Sequence, residues 1–234
     1  MGYDIAVATY LGIADIPLVG GHPALDLVNT VEPRLPRASF AGQAVLDHFS
    51  APAGLLVWAR RSELLSATEV VTEKGIWRSS PELAKRSLGG VVAVREALHD
   101  VLLRQLDGAV QAESVERQLG LLAAERAAAG ARTRLRPTSD GRPGFEELVG
   151  SEPGLVILDR IAVAAIELLT TVDLGALRAC PLEEGGCGWL FLDRSRGHTR
   201  RWCVMADCGT KAKARRLNDR RRAARARDMS SASG

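Results

Sequence analysis

Four cysteines, Cys180, Cys187, Cys203 and Cys208, are the whole thiol content of the chain and fall within one 29-residue window near its C-terminus. Their spacing is Cys180-x6-Cys187-x15-Cys203-x4-Cys208. Two close pairs separated by a loop is the arrangement of a structural zinc site, in which each short loop supplies two thiolates to a tetrahedral ion. The metal then takes the place of a hydrophobic core too small to form by itself. The expected cofactor is therefore one structural Zn2+ held by Cys180, Cys187, Cys203 and Cys208. Free buried cysteines and two disulfides are the competing readings, the latter disfavoured in a reducing compartment. His198 lies between the pairs and is an alternative ligand, although four thiolates already complete the shell.

The same region is strongly basic. Between Arg194 and Arg227 there are thirteen Lys or Arg and two acids, Asp207 and Asp219, while the whole chain carries a net charge of +3. The segment is thus about +11 and the remainder about −8, a polarity that points to a polyanionic partner for the C-terminus. Arg194, Arg196, Arg200 and Arg201 flank the metal loop and are candidate nucleic-acid contacts. Lys211, Lys213, Arg215, Arg216, Arg220, Arg221 and Arg222 follow the last cysteine, interleaved with helix formers such as Ala212, Ala214 and Leu217. A basic helix over about Gly209 to Arg227, anchored at its start by the metal, would lie along or in a DNA groove. Duplex DNA is the expected partner. RNA, an anionic membrane surface and a solvated tail are the alternatives, and a membrane surface lacks large apolar anchors here.

With these residues in view a resemblance is specific. The stretches Cys187-Gly188-Trp189-Leu190-Phe191-Leu192-Asp193-Arg194-Ser195-Arg196, Arg200-Arg201-Trp202-Cys203-Val204-Met205 and Cys208-Gly209-Thr210-Lys211-Ala212-Lys213-Ala214-Arg215-Arg216 resemble the CGNR zinc finger. Gly21-His22-Pro23-Ala24-Leu25-Asp26-Leu27-Val28-Asn29-Thr30 is similar to the opening of the ABATE domain. That domain precedes the finger in bacterial proteins described as stress-induced transcription regulators. The resemblance implies a bacterial DNA-binding regulator, with residues 1–173 as an ABATE-like domain and candidate sensor, 174–228 as the finger with its basic extension, and 229–234 as a disordered tail. Two departures stand out. The naming Cys-Gly-Asn-Arg reads Cys208-Gly209-Thr210-Lys211, and Lys lacks the planar bidentate fork of Arg. The first cysteine loop also carries extra residues around Gly185-Gly186, which costs little because loop-closure entropy grows slowly with length.

The elements that must position this site read as mainly helical. Pro81, with Ser80 before it, starts a helix whose apolar positions run from Leu83 to Leu106, with an expected interruption at Gly89-Gly90. Leu155 to Leu169 is apolar on nearly every face and belongs in the centre of a domain. Leu46 to Leu65 reads as one or two helices broken near Pro52, Thr68 to Ser79 as short and polar, and Ser114 to Ala129 as a helix stopped by Gly130. Residues 24–31 fit either a buried strand or a helical turn. Ala131 to Leu135 and Trp189 to Leu192 read as short strands. The fold class is α+β: a mainly helical N-terminal domain with a few short strands, then a small treble-clef-like or knuckle-type finger with a basic helix.

A regulator needs something to sense. Asp26 and Asn29, polar within an apolar segment, could line a small-molecule pocket with Trp58 and Arg95, or they could satisfy neighbouring backbone groups. Arg95, a strong cation in an otherwise apolar helix, would bind a carboxylate or phosphate, or form an internal ion pair. DNA is the expected partner, with a small-molecule effector and a second copy in a homodimer as further candidates. A chain that is 46% hydrophobic can bury a core, yet its longest stretch free of charged residues is twelve. A membrane-spanning helix needs about 20 apolar residues. No basic leader opens the chain, so a cytoplasmic location is expected. No P-loop, G-x-G-x-x-G, H-E-x-x-H or G-x-S-x-G occurs, and an enzyme is not expected. An adaptor that uses the finger as a docking surface is the remaining class.

Overall fold

The computed structural model of the protein describes residues 12–34, 45–109, 113–138 and 143–231. Helix α1 (Pro23–Val28) begins with proline at its first position, while the His22 ring accepts from the Ala24 N–H at 3.2 Å. The segment that could have been strand or helix is therefore both: one helical turn, a C-cap at Asn29, then β1 (Val31–Glu32) paired antiparallel with β2 (Leu46–Asp47). Helix α2 (Pro52–Arg61) starts at the proline that breaks the preceding segment. Helix α3 (Ala67–Ser79) has a full capping box: the Ser66 hydroxyl accepts from Glu69 N–H and the Glu69 carboxylate accepts from Ser66 N–H.

Helix α4 (Pro81–Leu106) runs without interruption through Gly89-Gly90. Gly90 is there for packing. A Cβ at that position would sit 2.6 Å from Leu158 Cδ2, so the glycine lets α4 approach α6 (Val156–Thr171) closely. Between them in sequence come α5 (Glu113–Ala131), which passes through Gly130, and the hairpin of β3 (Arg134–Pro137) and β4 (Phe145–Leu148). Helices α4, α5 and α6 pack on one another, with Val91, Val94, Leu98, Ile157, Ile161, Ala165 and Leu168 sealed from solvent in the core. Each large aliphatic side chain buried in this way stabilises by about 1.5–3 kcal/mol.

The C-terminal part is built on β5 (Leu177–Ala179) and β6 (Leu190–Leu192), antiparallel, with Leu177 opposite Leu192. A π-turn over Met205–Gly209 leads directly into α7 (Thr210–Ser231). The helix thus extends to Ser231, into the 229–234 stretch expected to be disordered, and residues 232–234 lie outside the described residues. A hairpin followed by a helix that starts at the last cysteine is the treble-clef-like form. Leu177, Leu190 and Leu192 belong to the same apolar cluster as α4 and α6. A second cluster joins Ile16, Trp189 and Phe191 to the four cysteines. The finger therefore shares its core with the body on both sides of its hairpin. Among the described residues, no helix is long and apolar enough to cross a membrane.

Candidate metal centre and nucleic-acid interface

The sulfurs of Cys180, Cys187, Cys203 and Cys208 all lie within 4.8 Å of one another, and all four residues are buried. Cys187 Sγ is 3.3 Å from Cys203 Sγ, which is 3.6 Å from Cys208 Sγ. Four sulfurs at about 2.3 Å from a tetrahedral zinc stand about 3.8 Å apart, so the cluster has the dimensions of a Zn–thiolate centre. Without a counter-charge the packed thiols cannot all ionise: hydrogen bonds from Cys187, Cys203 and Cys208 draw the Cys180 thiol far down, whereas burial and the neighbouring Cys180 push Cys187 well up. Four thiolates can coexist at this separation only around a cation. The residues fit one structural zinc ion. His198 is turned away from the sulfurs, its Nδ1 meeting the Asp193 carbonyl at 3.0 Å.

Backbone turns bring the ligands together. Gly185 and Gly188 sit at φ +91° and +78° in the first loop. A Cβ on Gly188 would overlap the Arg34 carbonyl oxygen, so the loop admits only glycine there. In the second loop the buried Asp193 carboxylate accepts from Ser195 N–H and Arg200 N–H, both at 2.9 Å, closing the turn that carries the chain back to Cys203.

The finger is bonded to the body at its metal end. Trp189 Nε1 donates to Val31 O at 2.9 Å, Arg34 N–H to Cys187 O at 2.7 Å, and Leu192 N–H to Gly20 O at 2.9 Å. The Asn29 side chain reaches across to the finger as well, donating from Nδ2 to Leu190 O at 2.8 Å. Nothing in the local sequence around Asn29 announces this partner, which lies 161 residues away.

The basic residues divide into two groups. Arg194, Arg196, Lys213, Arg220, Arg221 and Arg222 are exposed. The others are engaged. Arg201 and Arg216 both pair with Glu184 and Lys211 pairs with Asp207 at 2.8 Å, while half-buried Arg215 packs beside Gly185 with its Nη1 unpartnered among the described residues. Arg200 faces inward: its guanidinium donates to the carbonyls of Val19, Trp202 and Cys203 and stacks over the Phe191 ring at 4.3 Å. Glu184 as a shared acceptor and Arg200 as a brace were not readable from charge counts, because both depend on contacts between loops.

The proposed pocket residues have protein partners. Asp26 accepts from Gly20 N–H at 2.8 Å, and burial raises its carboxyl to about 6. Arg95 donates to both Asp47 oxygens at 2.8 and 2.6 Å, to Glu96 at 2.8 Å and to Thr30 Oγ1 at 3.1 Å. Glu96 in turn accepts from buried Arg34 at 3.2 and 3.1 Å, making a continuous ionic chain. Trp58 is fully buried, edge-on to Phe49 with centroids 5.9 Å apart. Asp26, Asn29 and Arg95 hold α1, β2, α4 and the finger together, while Trp58 is packed in the core against Phe49 with no acceptor for its indole N–H among the described residues.

Comparison with protein families finds two matches. Residues 177–221 match the CGNR zinc finger. Residues 21–172 match ABATE, described as "Putative stress-induced transcription regulator". Among curated proteins nothing matches the chain.

Proposed function

The chain belongs to the ABATE family, and from that membership we propose that it is a bacterial, cytoplasmic, DNA-binding transcription regulator without catalytic activity, whose body senses a small molecule and whose α7 meets duplex DNA. One observation carries the DNA reading: α7 leaves the zinc centre directly at Cys208 and presents Lys213, Arg220, Arg221 and Arg222 to solvent. Zinc holds the start of the helix, so its direction relative to the body is fixed before any DNA arrives. The helix has 22 residues, about 33 Å at roughly 1.5 Å per residue, close to one turn of B-form duplex. Zinc is a structural ion in this reading, since four thiolates leave no open coordination position. Cations on such a helix bind phosphates and so set affinity and register, not base preference.

Truncation after Thr210 removes nine Lys or Arg and leaves every cysteine. Full-length and truncated protein are titrated with duplex DNA at several salt concentrations. Five or six phosphate contacts give a slope of log K against log salt near −5, at about −0.9 per contact. The truncated protein keeps its zinc and loses most of its affinity. Equal, salt-insensitive binding by both proteins would rule out α7 as the interface.

A further inference from the structure

Helices α2, α3 and α4 enclose an open groove of about 750 Å3 that holds none of the residues discussed above as a pocket. Its floor is apolar, formed chiefly by Leu56, Val57, Val70 and Trp77. The Trp77 indole N–H is taken by the Gly154 carbonyl at 3.0 Å, so the ring offers the groove only carbon surface. Val57 is 40% exposed, an apolar side chain left open to water at the groove mouth. Every charged residue lining the groove is a cation, and none is an acid. Arg61 donates to the Ile13 carbonyl and Lys85 pairs with Glu82, but Arg60, Lys74 and Arg78 are exposed with no ion pair among the described residues. This all-cationic rim stands on a body that is net acidic by sequence.

We propose that this groove binds an anionic amphiphile, an apolar chain with a carboxylate-type head, and is the sensing site of the body. The proposal rests on the regulator reading and deepens its sensing part. The floor has no polar group to recognise a sugar or base, so what it takes in must be apolar. The rim places cations where the head of such a molecule would emerge. The volume falls in the usual range for small-molecule sites, about 300–1,000 Å3. The basic α7 of a second copy would be repelled by the rim, which argues against the groove as a contact between copies.

The test is calorimetric titration of full-length, zinc-loaded protein with dodecanoate below its micelle concentration, beside dodecyltrimethylammonium of equal chain length. No DNA is present, so the outcome is independent of whether α7 binds duplex. One saturable site is expected, with the anion tighter than the cation by about tenfold or more, because like charge on the rim opposes the cation. Val57→Glu places a carboxylate in the apolar mouth and should weaken dodecanoate by about tenfold or more, while the exposed position leaves the melting temperature unchanged. Lys74→Ala and Arg78→Ala, both on the surface, should each weaken it about two- to fivefold. Absence of saturable binding, equal binding of both head groups, binding indifferent to all three substitutions, or capture of an acidic amphipathic peptide in place of dodecanoate would each overturn the proposal.

Discussion

The carboxamide of Asn29 pairs with the backbone of Leu190 as a neighbouring strand would, donating to its carbonyl at 2.8 Å and accepting from its N–H at 2.9 Å. Only an amide of this length offers a donor and an acceptor in parallel. Asn29→Ala should leave both Leu190 groups buried and unpaired, costing about 2–4 kcal/mol. Asn29→Asp should cost at least as much, because a carboxylate cannot donate to Leu190 O. Denaturant unfolding of the two variants checks this; a loss below about 0.5 kcal/mol in both would remove the pair from the account of stability.

The position of Ile16, Trp189 and Phe191 in one cluster with the four cysteines bears on metal removal. The purified protein should contain one zinc per chain by elemental analysis. Chelation, or Cys203→Ser, should lower the melting temperature of the entire chain in a single transition, because body and finger share a core. Two well-separated transitions, with the body melting as before, would show the finger to be energetically independent.

Arg200 should act as a brace. Its guanidinium binds three backbone carbonyls, including that of Cys203, and lies 4.3 Å over Phe191. Arg200→Ala should reduce stability by about 2–4 kcal/mol through lost charged hydrogen bonds and stacking. Preference among DNA sequences should not change. A stable variant with relaxed preference would instead make Arg200 a base contact.

Glu184 holds Arg201 and Arg216, two cations on the proposed DNA face. Glu184→Gln should release both for phosphate and raise duplex affinity by about two- to fivefold, with a steeper salt slope. Filter binding at two salt concentrations reads the change. Unaltered affinity would mean that neither arginine reaches DNA.

The Asp26 carboxyl titrates near about 6 in the folded chain against an ordinary value of 3.8. Between those values the folded state holds a proton that the unfolded state has lost, so stability falls as pH rises through the window, by up to about 3 kcal/mol. Glu69 works in the opposite sense and lower down, since its bond from Arg160 draws it to about 2. Asp26→Asn keeps an acceptor for Gly20 N–H and should flatten the stability profile between about pH 4 and 6. An unchanged slope in unfolding experiments across that range would assign it to other groups.

Helix α4 was legible because its apolar positions repeat at helical spacing, α6 because a long run apolar on nearly every face belongs in a domain centre, and the metal site because thiol number and spacing are restrictive. The expected break at Gly89-Gly90 does not occur because the close approach of Leu158 gives Gly90 a packing role that local propensity cannot express. Helix α3 was missed for a related reason. Its sequence is polar, and only Glu73 and Trp77 are buried, held by Gly154 just before α6. Arg95 and Asn29 stood out as polar residues in apolar surroundings, but whether such residues face a ligand or another part of the chain depends on contacts far away in sequence.

The close approach of the Arg34 carbonyl to Gly188, the Trp189 bond to Val31 and the Asn29–Leu190 pair lie on one seam. Their joint consequence is that the C-terminal part cannot be exchanged like a cassette. A graft of residues 174–231 onto another helical body would leave Leu190 and the Trp189 indole facing water or unmatched groups, and the recipient would need its own Asn29 and Val31 at the same places.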